Sequence, residues 1–190
     1  MLKYLIIGAG GVGGTLGAYL LRAGLSVSFL AHGKTLEALK KKGLALVKDS
    51  GEETFSPVAA FDETSYSETP DVIFLALKSY SIDSVLPFLE RVATEHTVII
   101  PLCNVFGTGE KLQKKLEKPL VTDGYSEVDS LKVVDGLAPE MTTSFQKDVT
   151  DMRKSEVDGL IYEVQRLGKR YGIETPYYDE VIESLQARSR

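Results

Sequence analysis

Residues Met1–Gly17 read MLKYLIIGAGGVGGTLG. The stretch opens on a short apolar run, Leu2, Tyr4, Leu5, Ile6 and Ile7, which stops abruptly at Gly8. A run this short, bounded by glycine and rich in β-branched and aromatic residues, predicts a buried strand. Gly8, Gly10 and Gly13 then give G-x-G-x-x-G in the order strand, turn, helix. The first glycine permits the tight turn. The second lets a pyrophosphate approach the backbone with no Cβ in the way, and the third seats the helix close to the sheet. Free N–H groups and the helix dipole favour an anion at the helix start. The glycines alone are a weak signal; the flanking strand and helix make the reading specific. It predicts a dinucleotide-binding turn formed by Gly8, Ala9, Gly10, Gly11, Val12 and Gly13.

The same alternation continues outward. A helix is expected over Val12–Ala23, a strand over Leu25–Ala31 and a short helix over Thr35–Lys42. Strands are expected over Leu44–Lys48 and Thr54–Ala60, joined at a turn around Asp49–Gly51. Phe61–Pro70 is polar and is expected to loop. Asp71–Leu77 and Thr97–Leu102 read as buried strands, and Gly109–Lys118 as a lysine-rich helix. Ser81–Glu90 reads as a helix that Pro87 bends or ends. Strands and helices in this order imply an α/β fold with a parallel sheet covered on both faces, of the Rossmann type.

Beyond Val121 the pattern changes, and a small all-helical C-terminal domain is expected. Helices are expected near Val128–Gly136 and Met141–Val149. A stronger one is expected over Ser155–Tyr171, with Ser155 and Asp158 as a capping box. Thr175–Pro176 reads as the start of a last helix. The expected domains are 1–120 and 121–190.

Composition narrows the function classes. The chain has 190 residues, 43% hydrophobic and 26% charged, with a net charge of −5. The acidic balance argues against a nucleic-acid partner, and no apolar run is long enough to span a bilayer. The N-terminal apolar run is too short for a signal peptide. One cysteine, Cys103, allows no internal disulfide, which fits a cytoplasmic location. The two histidines, His32 and His96, lie far apart, so no metal site is expected.

Seven further positions carry possible chemistry. No acid follows the second strand; His32 and Lys34 stand there, which leans toward the 2′-phosphate of NADP. Lys78 leaves a buried strand at the edge where α/β sheets bind ligands. Asn104 follows another strand, and its amide suits a cofactor or substrate hydroxyl. Ser144 and Asp148 are four apart, on one helical face. Glu156 stands near a helix start, where the dipole alone would favour it.

Together these positions resemble the ketopantoate reductase family, the 2-dehydropantoate 2-reductases. GAGGVG, HGKTLEALKKKGL, ALKSY with Lys78, PLCN with Asn104 and TTSFQKDVTDMRKSEVD match its motifs in order. The resemblance implies NADP(H)-dependent reduction of a small 2-keto acid, ketopantoate, to a 2-hydroxy acid in pantothenate and coenzyme A synthesis. By that resemblance the glycines hold the pyrophosphate, Lys78 and Asn104 hold cofactor and substrate, and Glu156 and Ser144 contact the substrate. Three departures follow: His32 stands where the family has arginine, Cys103–Val105 replaces its Gln-Asn-Gly, and the chain is about a third shorter. The family's lysine-bearing helix would fall between Lys118 and Tyr125. The expectation is therefore an oxidoreductase of impaired activity, assembled as a homodimer. The alternative is an inactive NADP-binding regulatory or scaffold protein.

Overall fold

A computed structural model describes residues 1–48, 51–105, 107–122, 142–151 and 153–188. The chain divides into two compact units, Met1–Cys103 with Gly107–Gly124, and Asn104–Phe106 with Tyr125–Arg190.

The first unit is a six-stranded sheet built on β1 (Lys3–Ile7). It is flanked by β2 (Ser26–Leu30) and β5 (Ala59–Phe61) on one side and by β6 (Val72–Leu75), β7 (Val98–Pro101) and β8 (Leu120–Val121) on the other. The order is β5-β2-β1-β6-β7-β8, and every pairing in the sheet is parallel. β1 is buried on both faces. Leu5 and Ile7 join one core layer with Val85, Phe88 and Leu89, while Ile6 joins the other with Ala18, Val27 and Phe29. Successive strand residues point to opposite faces, so a continuous apolar run is what such a central strand requires.

Helices α1 (Gly11–Arg22) and α2 (Gly33–Lys42) carry residues of the second layer; α3 (Ile82–Val92) and α4 (Thr108–Lys115) carry residues of the first. α3 continues past Pro87 to Val92, so the helix does not end at the proline. A proline inside a helix costs about 3 kcal/mol. The face carrying Val85, Phe88, Leu89 and Val92 is buried, and each such side chain contributes about 1.5–3 kcal/mol. Their sum outweighs the proline, which itself lies exposed.

Two other expectations are corrected. The segment Thr54–Ala60 is not one strand. β4 (Gly51–Phe55) pairs antiparallel with β3 (Leu44–Lys48) as a separate hairpin, and β5 then joins the main sheet beside β2. Ser56–Pro57 lies between them, where a proline cannot donate to a ladder. The helix expected over Gly109–Lys118 ends at Lys115, and the chain beyond it adds β8 to the sheet. Two residues are too few to show a period, so nothing in the pattern announced that strand.

β5 leads into a turn that Asp62 organises. Its Oδ1 accepts from Thr64 N (3.1 Å), Thr64 Oγ1 (2.8 Å), Ser65 N (2.8 Å) and Ser65 Oγ (2.7 Å). Tyr66 follows, 2% exposed, against Phe61 and Phe88. Burial pushes its phenol up to about 12.

The second unit is helical among its described residues: α5 (Ser144–Thr150), a π turn (Asp158–Tyr162) running into α6 (Glu163–Tyr171), and α7 (Pro176–Arg188). The helix expected near Val128–Gly136 lies outside the described residues. The capping box is not at Ser155–Asp158. It is at Thr143, whose hydroxyl accepts from Gln146 N (3.1 Å) while Gln146 Oε1 accepts from Thr143 N (2.7 Å). Asp158 instead takes a two-pronged pair from Arg166, at 3.0 and 3.1 Å. Gly172 closes α6 in the left-handed region, as expected.

The Asp62 turn gives a pH dependence. The Ser65 hydroxyl first, then that of Thr64, hold its carboxyl well below the usual carboxylate range. A depressed folded-state value means stability that is present above about pH 4, the unfolded value, and is lost as pH falls toward the folded one. Asp62→Ala is expected to lower the urea midpoint at pH 7, with the gap to the parent narrowing at pH 3. A gap that widens in acid would contradict this account of the turn.

Candidate functional site

The chain leaves β1 for β2 and β5 on one side, then returns to β6 on the other. In such sheets the crevice lies where the order reverses, at the carboxyl ends of the strands. Here that is the β1–β6 junction. β1 ends at Ile7, and Gly8 turns with φ +98. Its N–H donates to Leu30 O (3.1 Å), while Ala76 N donates to Ile7 O (2.9 Å). A Cβ on Gly8 would sit 2.6 Å from Ala76 O. On Gly13 it would sit 2.0 Å from Gly8 O and 2.8 Å from Ala76 Cβ, and on Gly17 2.4 Å from the Phe29 ring. These glycines are needed for packing.

Gly10 and Gly11 are different. A Cβ on either would meet nothing within 4 Å. Gly10 caps α1 in an extended conformation and the first turn carries no acid. The first N–H groups of a helix have no partner within it. Ala9 is half-buried and Val12 exposed beside this opening. An open backbone cradle at a positive helix end, with no carboxylate to repel an anion, fits a dinucleotide pyrophosphate.

The other expected residues of this unit stand along the same strand ends. Lys78 is half-buried, two residues past Ala76, and begins the short 3₁₀ turn Ser79–Ser81. His32 caps α2 through its backbone position and lies exposed, as does Lys34 in the first turn of α2. The imidazole Nε2 of His32 lies 3.7 Å from Glu63 Oε1. Sequence reasoning found no acid at this corner. The structure brings one from 31 residues away, through the pairing of β2 with β5. Cys103 is half-buried, and its thiol donates to Leu77 O (3.2 Å).

The remaining expected residues belong to the second unit. Asn104 is exposed, and its neighbour Val105 presses on the π turn: a Cβ on Gly159 would lie 2.7 Å from Val105 Cγ2. Glu156 precedes that turn and is 6% exposed; its carbonyl accepts from Leu160 N (2.9 Å). A carboxylate so far from water needs polar partners, and among the described residues no buried side-chain nitrogen or oxygen lacks one. Ser144 is exposed at the start of α5. Asp148, one turn on, pairs with Arg153 Nε at 3.5 Å. The structure thus places Asn104 and Glu156 on segments flanking one π turn, and Ser144 on a separate helix of the same unit.

Among the described residues, no group of three or more His, Cys, Asp or Glu could hold a metal ion, and no helix is long and apolar enough to cross a membrane.

Comparison with known proteins bears on this arrangement. The profile of ketopantoate reductase PanE/ApbA matches residues 4–137, and that of the ketopantoate reductase PanE/ApbA C terminal matches residues 87–189. The chain belongs to the ketopantoate reductase family. It is 35% identical over 131 residues to the uncharacterized oxidoreductase YkpB of Bacillus subtilis, covering 68% of this chain and 42% of that protein. It is 36% identical over 104 residues to a 2-dehydropantoate 2-reductase of Mesorhizobium japonicum, covering 54% and 32%. A solved structure of a ketopantoate reductase candidate from Ralstonia solanacearum MolK2 is 36% identical with a TM-score of 0.51, over 55% of this chain and 32% of that one. The match therefore spans less than half the length of these curated relatives.

The two kinds of glycine predict different outcomes for one substitution. Gly13→Val forces a side chain into backbone and is expected to cost about 3 kcal/mol or more. Gly10→Val loses only cap preference, about 1 kcal/mol. Urea midpoints separate them; equal losses would contradict the packing account.

Proposed function

We propose that this chain binds NADP(H) at the glycine turn and reduces a 2-keto acid, ketopantoate, to its 2-hydroxy acid in pantothenate and coenzyme A synthesis. The observation that carries this reading is the open cradle at Gly10–Gly11 above the β1–β6 crevice. Family membership and the names of the relatives support the reaction class.

Gly8, Ala9, Gly10, Gly11, Val12 and Gly13 hold the pyrophosphate. His32 and Lys34 meet the adenosine ribose. Lys78 and Asn104 hold cofactor and substrate, and Ser144 and Glu156 contact the substrate. When bound, NADPH supplies a hydride to the keto carbon. The keto oxygen must then gain a proton, and a positioned acid for that step contributes on the order of 10²–10⁴-fold. The family's lysine for this role has no motif counterpart in the sequence. Lys78 is engaged by the cofactor in this reading. A buried carboxylate at position 156 suits a hydrogen-bond acceptor for a substrate hydroxyl. We place the protein in the cytoplasm, acting on a small molecule.

The test is NADPH oxidation with ketopantoate and a panel of 2-keto acids. Binding is expected, with turnover about 10²-fold or more below a full-length family member. Glu156→Ala or Ser144→Ala is expected to lower turnover further. Gly10→Val is expected to stay folded and lose NADPH binding by calorimetry; unchanged titration heats would refute this placement of the cofactor. Turnover equal to that of a full-length enzyme would show that another group delivers the proton.

We also propose a homodimer. Tyr171, Ile173 and Tyr177 are 65–80% exposed in the second unit, and exposed apolar surface that comes together finds a partner. Sedimentation at micromolar concentration is expected to show a dimer; a monodisperse monomer would reject it.

A further inference from the structure

The corner formed by His32 and Glu63 is built with more care than an exposed ion pair needs. β2 and β5 pair in parallel with Leu30 opposite Phe61. His32 and Glu63 each stand two residues beyond that pair, so the sheet register sets them side by side. Ala31 N donates to Phe61 O (3.0 Å), which carries the alignment one step past the strands.

Glu63 is also held from behind. It sits inside the turn that Asp62 ties through Thr64 and Ser65. Arg91, on α3, donates to the carbonyl oxygens of Glu63 and of Tyr66, the latter at 3.1 Å. Tyr66 is fixed in the core. The turn that carries Glu63 is therefore tied through Asp62, and Arg91 holds the Glu63 carbonyl oxygen, while its carboxylate remains partly open to solvent and faces His32. The other charged group at the start of α2 is Lys34, which is exposed.

In dinucleotide-binding sheets the end of the second strand meets the adenosine ribose. An acid there accepts from a 2′-hydroxyl, and a cation there holds a 2′-phosphate. This corner offers both. The Glu63 carboxylate lies 3.7 Å from the imidazole that would face the phosphate, and its charge opposes a phosphate bearing close to two negative charges. A free 2′-hydroxyl meets neither obstacle and finds an acceptor.

We propose that Glu63 is a specificity-determining residue which weakens the preference for a 2′-phosphorylated dinucleotide and admits the unphosphorylated one. This rests on the reading that the glycine turn binds a dinucleotide. The acid lies 31 positions from His32 in sequence, so it was hidden from any inspection of the second strand's end.

The test is titration of the protein with NADPH and with NADH, followed by calorimetry, for the parent, Glu63→Gln and Glu68→Gln. Glu63→Gln keeps the shape and removes the charge. Glu68→Gln removes the same charge from a carboxylate paired with Lys3, 3.0 Å away, outside this corner. Loss of one like charge at a partly exposed site is expected to shift the NADPH-to-NADH affinity ratio about fivefold toward NADPH in Glu63→Gln. The ratio in Glu68→Gln is expected to stay within twofold of the parent. The Glu63→Gln shift should also shrink at high salt. An unchanged ratio in Glu63→Gln overturns the inference and leaves dinucleotide binding standing, as does an equal shift in both variants. Failure of the parent to bind either dinucleotide overturns the inference together with the reading beneath it.

Discussion

The close seating of α1 on the sheet is the constraint on which the first unit depends. Gly13 and Gly17 leave no room for a side chain between the helix and Gly8, Ile6, Ala76 and Phe29. That contact fixes the height of the helix above the strands. The same contact aims its first turn over the β1–β6 junction. A helix held one side-chain layer further out would still close the core, but its N–H groups would not overhang the strand ends. Packing and anion affinity are thus one requirement, expressed at different glycines of the same turn.

This explains how much could be read in the sequence. β1 is buried on both faces, so it had to be a continuous apolar run, and its end had to be glycine. The helix stop at Gly172 was legible because a left-handed residue there is a local matter. Features that depend on distant partners were not legible. The proline in α3 is outvoted by a buried face whose partners come from other strands. The split of Thr54–Ala60 follows from which strand each half finds. Glu63 meets His32 only because β5 lies beside β2. The misplaced capping box is a different failure. Thr143 and Gln146 fit the same spacing as Ser155 and Asp158, and spacing alone does not distinguish the two.

In the second unit, spacing revealed which residues share a helix and said nothing of their environment. Ser144 and Asp148 lie one turn apart on α5, yet one is exposed and the other is paired with Arg153. Glu156 was explicable at the sequence level by the helix dipole alone. Its burial is a stronger statement, because a carboxylate in so dry a place has to be held by partners rather than merely favoured by a dipole. The π turn that follows accommodates Val105 against Gly159, a contact that a regular pattern of apolar residues could not announce.

Among the described residues, the sheet's outer strands have a consequence of another kind. β5 has three residues and β8 only two. Beside β8, the side chain of Gln113 accepts from Val121 N (2.9 Å) and donates to Leu116 O (3.0 Å) and Pro119 O (3.2 Å). Backbone groups that would otherwise be open to a passing strand are engaged by a side chain of α4. Short margins finished this way make poor templates for a neighbouring chain. A parallel sheet this apolar would otherwise invite stacking edge to edge into fibres. Among the described residues, the β8 margin offers such stacking little purchase.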